Sequence, residues 1–374
     1  MSKFISWQLK RWLLPILIIT STLTLTVVFS AISEPVSYLS YCLEEDNCFV
    51  SETPSTLFFM LIIYSSLMAF IFPLIMFNYK FGIRRADFYK QLPFKPKQLR
   101  RTIFLLGLTV TLVCVSIIFA LCFGIYALRY FATDITKISS TAVLIDIQWK
   151  YLGYFYLLLI GSTFSTFSLH SLFVFRNANI FEGIVAGVLA QVLLNLLPFG
   201  ILSQVAIIYP VITGETFSIP SIFLGVAAPA AASFNLNQLF TSSAKAIDKS
   251  IFWNVPSYLL FGLGSFLYLF MEKDRSSDIE NERGRPSAVT LIALHGGFLA
   301  VLLMFDCVEI ISLYVPLILW TFTTAIYYFI NVLFAAGFKF KLSQWLPFTL
   351  VAIIAFAEIF ILNYFSSQLC LFNC

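Results

Sequence analysis

The sequence predicts an all-α integral membrane protein, a polytopic helical bundle of about nine transmembrane helices. A short cytoplasmic helix and an outer re-entrant or interfacial segment complete the expected architecture. Three observations carry this. Of 374 residues, 60% are apolar and only 11% are charged, and mean hydropathy is +0.91. Water-soluble domains carry about a quarter charged residues, so this chain has too few to clothe a soluble surface. Second, unbroken apolar runs of about twenty residues recur, the length at which a helix spans the hydrocarbon core. A transmembrane β-barrel would instead show short alternating segments. Third, the basic residues cluster between every second pair of runs, as membrane topology requires.

The expected spans lie at about 13–33, 56–78, 102–127, 151–175, 182–209, 251–271, 288–307, 311–336 and 345–366. The first run comes after Lys3, Lys10 and Arg11, as in a signal peptide. It is longer than a typical h-region and no A-x-A-like site closes it, so it reads as a retained helix. With the N-terminus in the cytoplasm, the inner segments hold 18 of the 23 basic residues. The outer segments hold Arg129, Lys137, Lys150, Lys245 and Lys249. This asymmetry fixes the expected orientation, and the net charge of +4 then reports topology and points to no nucleic acid. An odd span count puts the C-terminus outside.

The connections differ in character. The first outer loop, Glu34 to Ser55, is acidic and contains Cys42 and Cys48. The outer tail contains Cys370 and Cys374. All four would face an oxidising compartment, so a Cys42–Cys48 bridge, a bridge from either to the tail, or four free thiols are all open. Cys114 and Cys122 lie inside the third span as apolar fillers. Residues 210–250 are too apolar for a free loop and too interrupted by Pro220 and Pro229 for a clean span. A re-entrant hairpin buried against protein would satisfy their backbone. The loop Glu272 to Ser287 is the most charged stretch, with five acids and four bases.

The first inner loop, YKFGIRRADFYKQLPFKPKQLRR over 79–101, holds eight basic residues and one acid, Asp87. It also carries Ile83, Phe88, Tyr89, Leu92 and Phe94, more than a tight turn needs. Asp87 can begin a short helix, which Pro93 and Pro96 would end. A basic, partly apolar cytoplasmic helix of this kind suits docking on another protein.

Motifs for catalysis are missing. The chain has no G-x-x-x-x-G-K-[ST] phosphate loop and no H-E-x-x-H, and no serine sits in a G-x-S-x-G elbow. Its two histidines, His170 and His295, lie in different spans and read as packed side chains. No enzyme, cofactor or metal site is expected. Carboxylates at membrane depth are few. Glu182 stands at the start of the fifth span beside Arg176, its expected partner, and Glu358 lies within the ninth. Such residues are functional candidates by default, although a hydrogen-bonded helix contact is the simpler reading of Glu358.

The stretch FGIRRADFYKQLPFKPKQLRRT resembles the segment of type-2 ABC transporter permeases in which an aromatic residue and a Leu-Pro precede a basic run. Asp87, Phe88, Tyr89, Leu92, Pro93, Lys95 and Leu99 match that pattern. The resemblance implies that loop 79–101, with Arg84 and Arg85, forms a coupling helix docking on a separate ATPase subunit. The start of the 272–287 loop and the segment before span six are similar to the same family more weakly. Residues 1–275 would be a six-span permease core and 276–374 three added helices with an outer tail.

The resemblance therefore implies an ABC exporter permease of the bacterial cytoplasmic membrane. ATP would be bound by the partner ATPase, a second permease subunit would complete the path, and membrane lipid would surround it. An amphiphilic or apolar substrate is expected. Two other classes compete: a self-sufficient secondary transporter or channel, and a membrane sensor or assembly scaffold.

Overall fold

A computed structural model of the chain describes residues 2–33, 38–42, 48–52, 55–78, 91–93, 95–132, 143–144, 150–177, 180–181, 183–194 and 250–271, with single positions 296, 349 and 353. The described helices are α1 (Ser2–Ser33), α2 (Ser55–Phe77), α3 (Pro96–Ala132) and α4 (Lys150–Arg176). Two more are α5 (Gly183–Leu194) and α6 (Ser250–Met271). Four, α1 to α4, are long and apolar enough to cross a membrane, and α5 and α6 contribute shorter apolar helices. The expected spans at 288–307, 311–336 and 345–366 and the segment 210–249 lie outside the described residues, apart from the single positions named.

Helix boundaries reflect local chemistry. Pro96 opens α3 at a position where its missing N–H costs no hydrogen bond. The carbonyl of Lys95 accepts the N–H groups of Gln98 at 2.8 Å and Leu99 at 3.1 Å. At the far end of α4, Asn177 closes the helix. Its backbone N–H and its Nδ2 both donate to the Phe173 carbonyl, at 3.1 and 2.8 Å. Both α1 and α3 outrun the spans expected at 13–33 and 102–127. Apolar length marks where hydrocarbon begins, but the hydrogen-bonded helix continues into the polar flank. At 37 residues, α3 is about 55 Å long, well beyond the roughly 30 Å hydrocarbon core.

The core is built around α4. Every residue from 165 to 174 is buried, so this stretch of the helix is enclosed on all sides. It packs most extensively on α6 and next on α2, while α1 lies against α2 and α3. Small residues set the α4–α6 crossing, as helix association inside lipid favours. A Cβ on Gly262 would sit 2.5 Å from Phe164 Cδ1 and 3.0 Å from the Cα of Ser165. Gly161, one turn before Ser165, faces Val255 and Tyr258 across the same contact. An aromatic knot joins three helices. Phe104 of α3 meets Phe167 of α4 at 5.4 Å, and meets Phe266 and Phe270 of α6 at 5.4 and 5.8 Å.

Three short strands stand outside this bundle, β1 (Tyr38–Cys42), β2 (Cys48–Glu52) and β3 (Val143–Leu144). β1 and β2 pair antiparallel and β3 joins β2 in parallel, giving the order β1-β2-β3. The register sets Cys42 opposite Cys48. The sheet therefore ties the connection after α1 to the connection after α3. Both connections read as plain loops from the sequence, because strands this short carry little periodicity to detect.

Candidate functional site

The described part of the basic loop 79–101 before α3 is its descending arm, residues 91–93 and 95. Pro93 and Lys95 are exposed there, whereas Leu92 is half-buried and packs on the main apolar core. From Leu99 the chain turns inward. Leu99 and its neighbour Arg100 are both buried, Arg100 to 2% exposure. A cation this deep needs a polarisable or polar environment. The Arg100 guanidinium lies over the Phe175 ring at 4.8 Å, and Phe175 meets Phe77 edge-on at 5.9 Å. Residues from the start of α3 and the ends of α2 and α4 thus form one contact.

The next residue extends the contact to α6. Arg101 lies over the Phe270 ring at 5.1 Å, and its Nη2 donates to the Phe270 carbonyl at 3.3 Å. That carbonyl belongs to the last turn of α6, where backbone acceptors lack intrahelical partners and a cation complements the helix dipole. Arg176, the last residue of α4, places its guanidinium 4.8 Å from the Tyr268 ring. Three arginines therefore sit at the end of the bundle where α3 begins and α2, α4 and α6 finish. Each is held against an aromatic face by a cation–π contact.

Behind this end, α4 carries a buried polar seam of Thr163, Ser165, Thr166, Ser168, His170 and Ser171. His170 Nε2 lies 3.0 Å from Gln191 Oε1 of α5, and Gln191 Nε2 donates to Thr166 Oγ1 at 3.3 Å. The imidazole also meets Phe70 of α2 edge-on at 4.8 Å. Its Nδ1 edge faces Gly187, where a Cβ would collide with the ring. Gly187 is what allows α5 to approach this closely. His170 is thus a packed side chain joining α2, α4 and α5. Gly183 tightens the preceding turn, since a Cβ there would stand 3.1 Å from the Val174 Cα.

Of the residues singled out in the sequence, the structure places Arg176 in the same arginine cluster as Arg100 and Arg101, buries Leu99 in the first turn of α3, packs Leu92 on the main core and leaves Pro93 and Lys95 exposed. Arg84, Arg85, Asp87, Phe88 and Tyr89 lie outside the described residues, as do Glu182, Glu358, Cys370 and Cys374. Sequence reasoning misses the aromatic partners Phe77, Phe175, Tyr268 and Phe270. A faint signal exists, since each stands within the last four residues of an apolar run. No family model matches the chain, and no curated protein or solved structure matches it.

Proposed function

We propose that this chain is the membrane-embedded permease subunit of an ABC transporter, driven by a separate ATPase that engages the basic loop 79–101. In this reading the protein sits in the bacterial cytoplasmic membrane with its N-terminus inside. Two permease subunits enclose a path for an amphiphilic or apolar substrate, and the direction is export. The chain supplies no nucleotide chemistry, and ATP is held by the partner.

One observation carries the reading: the loop's descending arm ends in Arg100 and Arg101, which grip the ends of α4 and α6. A displacement of the loop is therefore delivered to three helices at once. Close-packed contacts of this kind pass motion as a rigid-body shift. The half-buried Leu92 adds an apolar footing for the same arm.

Affinity purification of the tagged protein in mild detergent, with mass spectrometry of what accompanies it, tests the partner. A stoichiometric ATPase bearing a phosphate loop is expected. Arg84→Glu with Arg85→Glu abolishes its co-purification and leaves membrane insertion intact. Arg101→Ala separates docking from transmission: the ATPase still co-purifies, but substrate no longer stimulates its hydrolysis. A chain that purifies alone overturns the assignment.

The seam around His170 favours a second reading, a transporter that works without a partner, because polar groups at membrane depth mark substrate or ion pathways. It requires that neutralising Glu182 or Glu358, or replacing His170, stops flux in proteoliposomes containing no ATPase.

A further inference from the structure

α1 has two faces of opposite character. Phe4, Gln8, Trp12 and Ile16 repeat every fourth residue and are buried, and α1 packs on α2 and α3. The opposite stripe runs Lys3, Trp7, Lys10, Leu14, Leu17, Ser21 and Leu25, all exposed. This second stripe changes chemistry once along its length. Its first part is cationic and aromatic, and beyond Lys10 it is almost purely aliphatic.

The polar end is shaped. Lys3, Ser6, Trp7 and Lys10 line an open cleft of about 410 Å³. Lys3 and Lys10 stand two helical turns apart, about 10 Å along the axis, and bracket the Trp7 indole. Phe4 lies 6.1 Å from that ring, and the Arg11 guanidinium 5.7 Å from its centre, adding positive charge beside the cleft. Among the described residues neither lysine ammonium has an ion-pair partner. Two ammonium groups donate only, and the Ser6 hydroxyl can donate beside them, so the complementary ligand is an anion with several acceptor oxygens.

We propose that this cleft and the aliphatic stripe below it bind one anionic phospholipid. The phosphate and acidic headgroup sit between Lys3 and Lys10, and an acyl chain lies along Leu14, Leu17 and Leu25. The continuity of the two surfaces selects a lipid over a soluble phosphate. A free anion would use only the cleft, whereas the stripe offers apolar contact, broken only by Ser21, beginning one turn away. Basic residues beside a span attract anionic headgroups electrostatically, and Trp belongs at that depth. The site is independent of the permease reading.

Native mass spectrometry of the full-length protein, exchanged into delipidating detergent, provides the test. Short-chain phosphatidylglycerol, phosphatidylcholine of equal chain length and inorganic phosphate are the probes. The wild-type protein retains phosphatidylglycerol at least about fivefold more than Lys3→Gln/Lys10→Gln, and phosphatidylcholine adducts are equal in both. Retention of phosphatidylglycerol by the wild type also falls as salt rises, since screening weakens exposed charge contacts; this arm remains decisive if the double variant fails to insert. Equal retention of the two lipids, a salt-independent adduct, or a double variant that binds like wild type overturns the proposal. Saturation by inorganic phosphate alone reassigns the cleft to a soluble anion. Loss of a dimer in the double variant, with lipid retention unchanged, reassigns the stripe to a second copy of the chain.

Discussion

α1 and α4 are both apolar enough to cross a membrane, yet the bundle uses them in opposite ways. In the most apolar window of α4, 72% of the residues are buried, against 17% in that of α1. α4 is also the more polar, with six buried Ser, Thr and His residues in nine positions. Inside lipid a polar side chain is costly unless protein satisfies it, so polar residues migrate to the centre of a bundle. Four hydroxyls of α1 satisfy themselves along their own helix. Thr20, Ser21, Thr22 and Thr26 donate to carbonyls three or four residues back, at 2.7 to 3.2 Å. Hydropathy therefore reports that a helix enters the membrane, while the placement of hydroxyls and glycines reports its position within the bundle.

The contrast is disturbed most by separating α4 from its largest neighbour. Gly262→Leu adds a side chain where even a Cβ meets Phe164 and the Ser165 backbone. Overpacking of this kind costs about 1–3 kcal/mol and sometimes more, and here backbone blocks relaxation, so the upper end is expected. Thermal unfolding in detergent, monitored by dye labelling of the buried Cys122 thiol in a background with the other cysteines replaced by Ala, should show a fall in midpoint of many degrees. An unchanged midpoint would mean that α4 and α6 are not in close contact.

A smaller effect tests the polar seam itself. His170→Ala and Gln191→Leu each remove one end of the hydrogen bond between α4 and α5. Interhelical hydrogen bonds in membrane proteins contribute about 0.6–2 kcal/mol. The double variant should therefore be less destabilised than the sum of the singles, by about 1 kcal/mol. Strict additivity would show that His170 contributes only its bulk.

Particular residues show why the spans are legible in the sequence and the site is not. The ends of α2, α4 and α6 agree with the expected spans within a residue or so, because about twenty apolar residues bounded by polar ones leave few alternatives. His170 reads as a packed side chain from the sequence, and the structure shows packing. Its partner Gln191 is not readable, since nothing in a spacing of 21 residues specifies a contact. The aromatic seats of Arg100, Arg101 and Arg176 are hidden for a different reason. In a chain with 42 Phe residues, one more at a helix end carries almost no information until the arginine above it is placed. The loop's charge is legible and the surface that anchors it is not.

The mildest perturbation approaches α1 from the lipid side. Leu14→Ala and Leu17→Ala truncate residues that are 68% and 52% exposed on α1. In a soluble protein, burying a leucine gains the hydrophobic effect, but lipid tails are as apolar as the protein interior. Truncation on this face opens no internal cavity, because acyl chains fill the space. Each change should shift unfolding by under about 0.5 kcal/mol, as for surface substitutions generally, in the same Cys122 assay. Trp12→Ala, on the buried face of the same helix, supplies the contrast, since emptying a packed aromatic site costs about 3–5 kcal/mol. If Leu14→Ala and Leu17→Ala instead destabilise as Trp12→Ala does, the outer stripe of α1 is buried in the assembled protein. The face would then belong to another subunit, and the bundle would be incomplete as a single chain.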